Sequence, residues 1–419
     1  MSVAILARTG ALGAVLCAVS DCANTHGSPA NGVDVTAGSE ALLRADQLPV
    51  ARGGPAVGKR DPGLEIVALF PGKAMPTGLT VSREGRIFLS FPRWGDAVAW
   101  TAVELSEGKL VPFPDAATNA FDPKDPALHD PATHLVSVQS VVVDAEDRLW
   151  LLDPGSVQLG PTLRGAPKLW AYDLASRERV KAITFPNDVV LKKTYLNDVR
   201  FDLARGMEGT AFVTDSGAGG IIVIDLASGE SWRRLDGHPS VNPTPGLEMQ
   251  SEGEPFVKRP RNGEESAPDI RSDGIALSPD ARTLYYSTLT SRDIWAVPTD
   301  ALSDRSLDEA AVAQHVRKLV TKPSCNDGLI CDAEGRLYSS DWEDQCIRRI
   351  DPTSGHVEVE SQDERMLWPD TFALHGGFLY VTSNQLARQP MFHSGQDRRV
   401  APYVLFRLAL GGRTEVGER

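Results

Sequence analysis

The residues in this sequence best placed to do chemistry are Thr77, Gln139, Asn197, Asp273, Asp327 and Asp370, because each stands immediately before the first strand of a short motif that occurs six times. Equivalent positions in a closed repeat fold form a ring. Three carboxylates and three neutral oxygen-bearing side chains converging on one axis repel one another unless a cation or protons compensate. Oxygen-only donors suit a hard divalent ion such as Ca²⁺, with Asn197, Asp273 and Asp327 as its ligands. An organic ammonium satisfies the same field, helped by an aromatic face from Trp342, Trp368 or Phe392. Thr77, Gln139, Asn197, Asp370, Trp368 and Asn384 then form the ligand-binding set. Proton transfer or lactone opening there needs a general base, and a carboxylate with a raised pKa is the candidate. Asp327 is nominated as catalytic base or metal ligand, and the two roles stay open. Asp and Asn at such positions also cap turns, which is the competing role for every member of the ring.

The elements that must position this ring are legible from the repeat. Its copies begin at Gly78 (GLTVSREGRIFLSF), Ser140 (SVVVDAEDRLWLLD), Asp198 (DVRFDLARGMEGTAFVTD), Gly274 (GIALSPDARTLYYS), Gly328 (GLICDAEGRLYSSD) and Thr371 (TFALHGGFLYVTS). Each is an alternating apolar strand, a turn rich in Asp, Glu and Gly, and a second strand ending in polar residues. LWAYDL, IIVIDL, IWAVP and CIRRID supply third strands. The unit is a four-stranded antiparallel meander, and six of them predict an all-β, six-bladed β-propeller in which the first strand of each blade lines the central channel. Asp153, Asp215, Asp341 and Asn384 follow second strands; their repetition suits a hairpin role, with Asp341 and Asn384 the members nearest the channel. Ser306 to Leu319 reads as a helix or as an outer strand. The segment 238–269, rich in Pro, Gly and Glu, reads as a partly ordered lid over one face. The stretch 23–61 reads as a flexible leader, and 62–419 as the propeller.

Composition narrows the partners. The formal net charge is −13, from 43 basic and 56 acidic residues, and the cations are scattered rather than gathered in a stripe, which argues against nucleic acid. The apolar run Ala11 to Val19, after Arg8 and before small residues, resembles a short secretory segment cleaved near Ser20 to Ala23, so 1–22 is expected to be a signal peptide and the protein secreted or periplasmic. It is too short to span a bilayer. Asp21 before Cys22 argues against a lipid anchor. Of five cysteines, Cys325, Cys331 and Cys346 lie in the propeller; one disulfide at most can form there, and Cys325 with Cys346 is the pair to test.

Other chemistries lack their signatures. No G-x-S-x-G, H-E-x-x-H or phosphate loop occurs. The Gly-rich DSGAGG at 215–220 lies between two strands and reads as a hairpin. His129 and His134 flank Pro131, which rules out a helical metal pair. No organic cofactor is expected, and the expected partner is a small molecule.

Several segments are similar in sequence, and in order, to the major royal jelly protein/Yellow family: VQSVVVDAEDRLWLLDPG, LNDVRFD, AFVTDSGAGGIIVIDLASGESWRRLDGHPSV, SDGIALSPD, CNDGLICDAEGRLYSSDWED, LWPDTFAL and SNQL. The resemblance implies a secreted six-bladed propeller. Some insect members are linked to dopachrome conversion, and others bind biogenic amines or act in storage and signalling. A more distant likeness, carried by DGIALSPDARTLYYS and NDGLICDAEGRLYSSD, is to the senescence-marker/gluconolactonase propellers, which hold a divalent cation at the channel mouth. Here Asp273 replaces one of their asparagines and Thr77 their first-blade glutamate. The sequence thus leaves three readings: a Yellow-like protein that binds or isomerises an aromatic or amine ligand, a metal-dependent lactonase, and a protein-interaction propeller.

Overall fold

The computed structural model describes residues 32–37 and 47–411. Six antiparallel sheets stand as blades around one axis. Their inner strands are Leu79–Val81, Ser140–Val143, Leu196–Asp202, Ser272–Leu277, Asn326–Cys331 and Pro369–His375. The third strands foreseen from sequence are Lys168–Asp173, Ile221–Asp225, Asp293–Pro298 and Cys346–Ile350.

Closure of the ring uses both ends of the propeller. Leu64–Phe70 lies ahead of the first repeat yet pairs with Tyr403–Ala409, so it completes the sixth blade rather than the first. The preceding stretch, expected to be flexible, is docked where it is described. Val33–Asp34 adds an edge strand to the first blade and Thr36–Ala37 one to the sixth, so the segment straddles the seam. Residues 1–31, which include the expected signal peptide with Cys17 and Cys22, lie outside the described residues.

Alternation along each strand sends apolar residues to both faces of a blade, and each face meets a neighbour. Trp150, Leu169 and Ile183 of the second blade pack on Val199, Phe201 and Ile222 of the third, and Phe212 and Val223 of the third on Tyr286 and Val297 of the fourth. The fifth and sixth blades meet through Tyr338, Ile347, Phe372 and Phe406. Buried area is therefore spread around the ring instead of being gathered on the axis, which leaves the axis for polar side chains.

Polar staples lock the inner strands together near the channel. The hydroxyls of Ser90, Thr214, Ser340 and Thr382 donate to the backbone carbonyls of Gln139, Asp273, Asp370 and Thr77, each on the next blade, at 2.7–2.9 Å. Ser287 instead accepts from the Asn326 amide at 2.9 Å. The second blade has Leu152 at this register, opposite Ser140. The approach is so close that a side chain opposite the staple must often be absent. A Cβ on Gly274 would lie 2.4 Å from the Asp327 carbonyl, and one on Gly328 2.3 Å from the Asp370 carbonyl. The Gly that opens these copies of the repeat is thus a packing requirement.

The stretch Ser306 to Leu319 divides between its two readings. Asp308 caps a short helix, Glu309–Gln314, by accepting from the Ala311 amide, and the chain then continues as the outer strand Arg317–Thr321. The 238–269 segment is ordered, with a small hairpin at Gln250–Ser251 and Glu254–Pro255. Cys325, Cys331 and Cys346 are buried free thiols, so the Cys325–Cys346 bridge does not form. Burial pushes all three thiols up, Cys331 to about 12.

Gly328→Ala is expected to lower stability by about 1–3 kcal/mol, because the new methyl must displace the Asp370 backbone. Gly72→Ala, where a Cβ meets nothing within 4 Å, should be nearly neutral. Urea melts of both variants check the pair.

Candidate functional site

The ladder is broken at the ring. Between Leu196 and Val199, Ser272 and Ile275, Asn326 and Leu329, and Pro369 and Phe372, the inner strand carries one residue more than its partner. Such bulges re-aim side chains out of the regular alternation. The residues concerned include Asn197, Asp273, Asp327 and Asp370, and all four line one cavity at the channel mouth together with Gln139. Thr77 does not join them. Its blade has no bulge there, it is fully buried, and its hydroxyl is engaged with Ser90 (3.1 Å) and the Gln139 carbonyl (3.3 Å).

The cavity holds about 400 Å³. Its floor is the polar ring, and its walls include Trp94, Leu159, Ile270, Leu289, Met391 and Phe392. A polar floor under apolar walls at this volume fits a small organic molecule.

Each floor residue is held by a dedicated partner. Asn197 donates to Asp273 at 2.5 Å and the Trp368 indole to Asp327 at 2.7 Å. Asp370 accepts from Asn384 at 2.5 Å and from the Thr371 hydroxyl at 2.9 Å. Trp94 donates to the Tyr195 hydroxyl (2.7 Å), which donates to the side-chain oxygen of Gln139 (2.9 Å). Gln139 therefore accepts through its side-chain oxygen. Trp368 and Asn384, expected to touch ligand, are fully buried and do not line the cavity; they hydrogen-bond Asp327 and Asp370, which do. Trp368 stacks on Trp342 at 4.5 Å, and Phe256 of the 238–269 segment packs on both and on Phe392. That segment thus braces the cavity wall.

Electrostatics follow from this burial. Loss of water pushes Asp273 up to about 8, and the charges of Asp370 and Asp198 add to it. Burial likewise raises Asp327 and Asp370 well above the usual carboxylate range, reinforced by Asp273 in the first case and Asp327 in the second. The interaction between Asp273 and Asp327 favours the proton on Asp327 over Asp273. Burial thus biases all three toward the protonated form near neutral pH.

The side chains fit a divalent cation poorly. Asp273 and Asp327 each commit an oxygen to a protein donor, Asn197 turns its NH₂ group to Asp273, and Thr77 is turned away. Among the described residues no three His, Cys, Asp or Glu side chains form a group able to hold a metal ion.

The second polar set is structural at three of its four positions. Asp153 accepts from the Val136, Ser137 and Gly155 amides, Asp215 from Thr194, Tyr195 and Arg233, and Asp341 from Lys322, Ser324 and Arg348. DSGAGG is the hairpin between Thr210–Asp215 and Ile221–Asp225. His129 and His134 stack on each other in a loop away from the cavity. Sequence reasoning missed Tyr195, Trp94 and the cavity lysines Lys192, Lys193 and Lys258. Tyr195, two residues before Asn197, was the one within reach of the repeat.

The major royal jelly protein profile matches residues 136–409, which span five of the six inner strands and the strand Tyr403–Ala409. The chain belongs to this family. Protein yellow of Drosophila erecta is 28% identical over 260 residues, covering 57% of this chain and 44% of that protein. Protein yellow of Drosophila melanogaster is 27% identical over 270 residues, covering 60% and 46%. The match thus spans less than half the length of these relatives. Among solved structures, a luciferin-regenerating enzyme aligns over 84% of this chain and 96% of its own, with TM-score 0.51 and 15% identity, a likeness of fold alone. A gluconolactonase from Xanthomonas campestris aligns over 86% and 98% with TM-score 0.48 and 14% identity.

The raised Asp273 predicts a pH dependence. An unfolded Asp ionises near 3.8 and the folded one near 8, so between those values the folded chain binds a proton that the unfolded chain lacks. Stability from this group is complete below the lower value and is lost as pH rises toward the upper one. The wild-type Tm should fall between about pH 5 and about pH 8, and Asp273→Asn should flatten that slope. An equal slope in both proteins would contradict the assignment.

Proposed function

We propose that this major royal jelly family propeller binds a small aromatic ligand with a nitrogen function at the channel mouth and shifts a proton on it. The observation that carries the reading is the pair of buried carboxyls, Asp273 and Asp327, at the floor of an apolar-walled cavity, both raised by burial. Tautomerisation removes a proton at one atom and returns one at another, which needs an acid and a base side by side with pKa values near ambient pH. In molecules where Asp273 is ionised, Asp327 gives its proton to the ligand while Asp273 accepts one from it, and exchange between the two carboxyls resets the pair. Asp370, Asn197 and Gln139 orient the ligand; Met391 and Phe392 exclude water and supply an apolar face. The yellow relatives support the family, and dopachrome conversion comes from the resemblance alone. The apolar run Ala11 to Val19 supports export of the chain.

A divalent-metal lactonase is the second reading, and thermal melting separates the two. Tyramine at about 100 times its Kd should stabilise the protein by roughly 2.7 kcal/mol, whereas Ca²⁺ and chelator should leave Tm unchanged. Asp327→Asn should remove the tyramine response and lower any dopachrome turnover by about 10²-fold or more. A Tm that follows Ca²⁺ and ignores tyramine would favour the lactonase, and indifference to both would favour an interaction propeller.

A further inference from the structure

The channel has a second cavity, of about 210 Å³, at the end opposite the mouth. The ring residues stand where the inner strands begin, and residues further along the same strands, among them Val81, Val143, Ile330 and Phe372, line this one. Its lining includes the exposed Arg83, so it opens to solvent. The two cavities share no lining residue, yet at two of the bulges adjacent residues open to different cavities. Asn197 lines the mouth and Asp198 the second cavity; Asp370 lines the mouth and Thr371 the second cavity. A regular strand would send one member of each pair away from the axis, and the bulge brings both to the channel.

At one of these points a hydrogen bond already crosses the partition: the Thr371 hydroxyl donates to Oδ1 of Asp370 at 2.9 Å. Asp198 faces the same second cavity with an oxygen to spare. Its Oδ1 accepts from the Ser140 hydroxyl at 2.6 Å, the Val199 amide at 2.8 Å and Arg200 at 2.9 Å, while its Oδ2 accepts no hydrogen bond among the described residues. The charge of Asp198 also reaches all three floor carboxyls and raises each of them. The other ionisable groups on this cavity are Arg83, Asp144, Asp147, Arg200, Cys331 and His375. Asp144 is spent on Arg148 and Trp150, and Arg200 on Asp198 and the Leu329 carbonyl. Thr371 is the group on this cavity that hydrogen-bonds a floor carboxyl.

A floor biased toward protons must release one before Asp273 can act as a base, and a ligand seated in the mouth stands between the floor and solvent on that side. We propose that this proton leaves and returns through the second cavity, relayed between Asp370 and solvent by the Thr371 hydroxyl and drawn there by the carboxylate of Asp198. For release the hydroxyl rotates. The Asp370 O–H bond breaks as its proton passes to the Thr371 oxygen, and the Thr371 proton passes to a water molecule in the second cavity, where Asp198 stabilises the hydronium formed. For recharge each transfer runs in reverse, with Thr371 donating to Asp370 as it does in the structure. One proton moves and nothing is oxidised or reduced. This inference rests on the reading of the floor as a proton-exchanging ligand site.

Rapid-mixing infrared spectroscopy of the full chain, transferred from H₂O to D₂O with and without saturating tyramine, tests it through the rate at which the protonated carboxyl C=O band shifts. Thr371→Val keeps the side-chain shape and removes the hydroxyl; it should slow exchange by about 10²-fold with tyramine bound and leave it at the wild-type rate without tyramine, when the mouth is open. Asp198→Asn should slow exchange in the tyramine-bound state only. Thr371→Ser, which keeps the hydroxyl, should match the wild type in both states. Wild-type exchange in tyramine-bound Thr371→Val or Asp198→Asn would overturn the inference, and so would equal slowing with and without tyramine, the mark of a structural change. A wild type with no protonated carboxyl band, or one that does not bind tyramine, would instead remove the reading of the floor itself, and the inference with it.

Discussion

Everything at the channel mouth depends on three aspartates placed where water cannot reach them freely and where they cannot all be charged. Asp273, Asp327 and Asp370 come from consecutive blades, so the six-fold geometry itself forces their proximity. Repulsion can be relieved by a cation, by protons or by moving the residues apart, and the staples forbid the last. Proton retention is the solution that burial favours: loss of water and the neighbouring carboxyls raise Asp273, Asp327 and Asp370, against the pull of the Asn197, Trp368 and Asn384 donors toward the ionised form. A site that stores a proton at neutral pH is a site that can lend one.

The scaffold explains why such a strained arrangement persists. Apolar burial lies between blades, where Trp150, Phe212, Tyr286 and Tyr338 stack neighbour on neighbour, and the sixth blade is sealed by Leu64–Phe70 from the start of the propeller. The axis contributes little apolar burial and is free to carry polar groups. Bulges then turn four residues out of the ladder into the channel, and hydroxyl staples fix the backbone from which they project. A carboxyl held on both its backbone and its oxygen has a geometry set before any ligand arrives, which is the condition for useful acid–base chemistry.

Much of this was legible in the sequence because propeller blades repeat. The register of GIALSPDARTLYYS on GLICDAEGRLYSSD named Asp273 and Asp327 as neighbours, and the six copies named the fold. What the repeat could not reveal was orientation. Thr77 stands at the ring position, but its hydroxyl is taken up by Ser90 of its own blade and the Gln139 carbonyl of the next. Trp368 and Asn384 carry the expected chemistry one layer further out, since a conjugate acid–base pair needs donors behind it as well as ligand in front. Lys192, Lys193 and Lys258 were hidden for a different reason: loops and the 238–269 segment do not share the blade period, so alignment of the copies carries no information about them. The leader was read as flexible from its Gly and Pro content, whereas edge pairing at the seam needs only backbone groups, which composition does not report.

The central claim is that carboxyl protons are retained at the channel mouth at neutral pH. Infrared difference spectroscopy of wild-type protein against Asp327→Asn, in H₂O and D₂O, reads this directly through the C=O stretch of a protonated carboxylic acid. The account predicts that such a band is present near pH 7, shifts on deuteration and is lost in the variant. A wild-type spectrum near pH 7 showing only ionised carboxylates would contradict it.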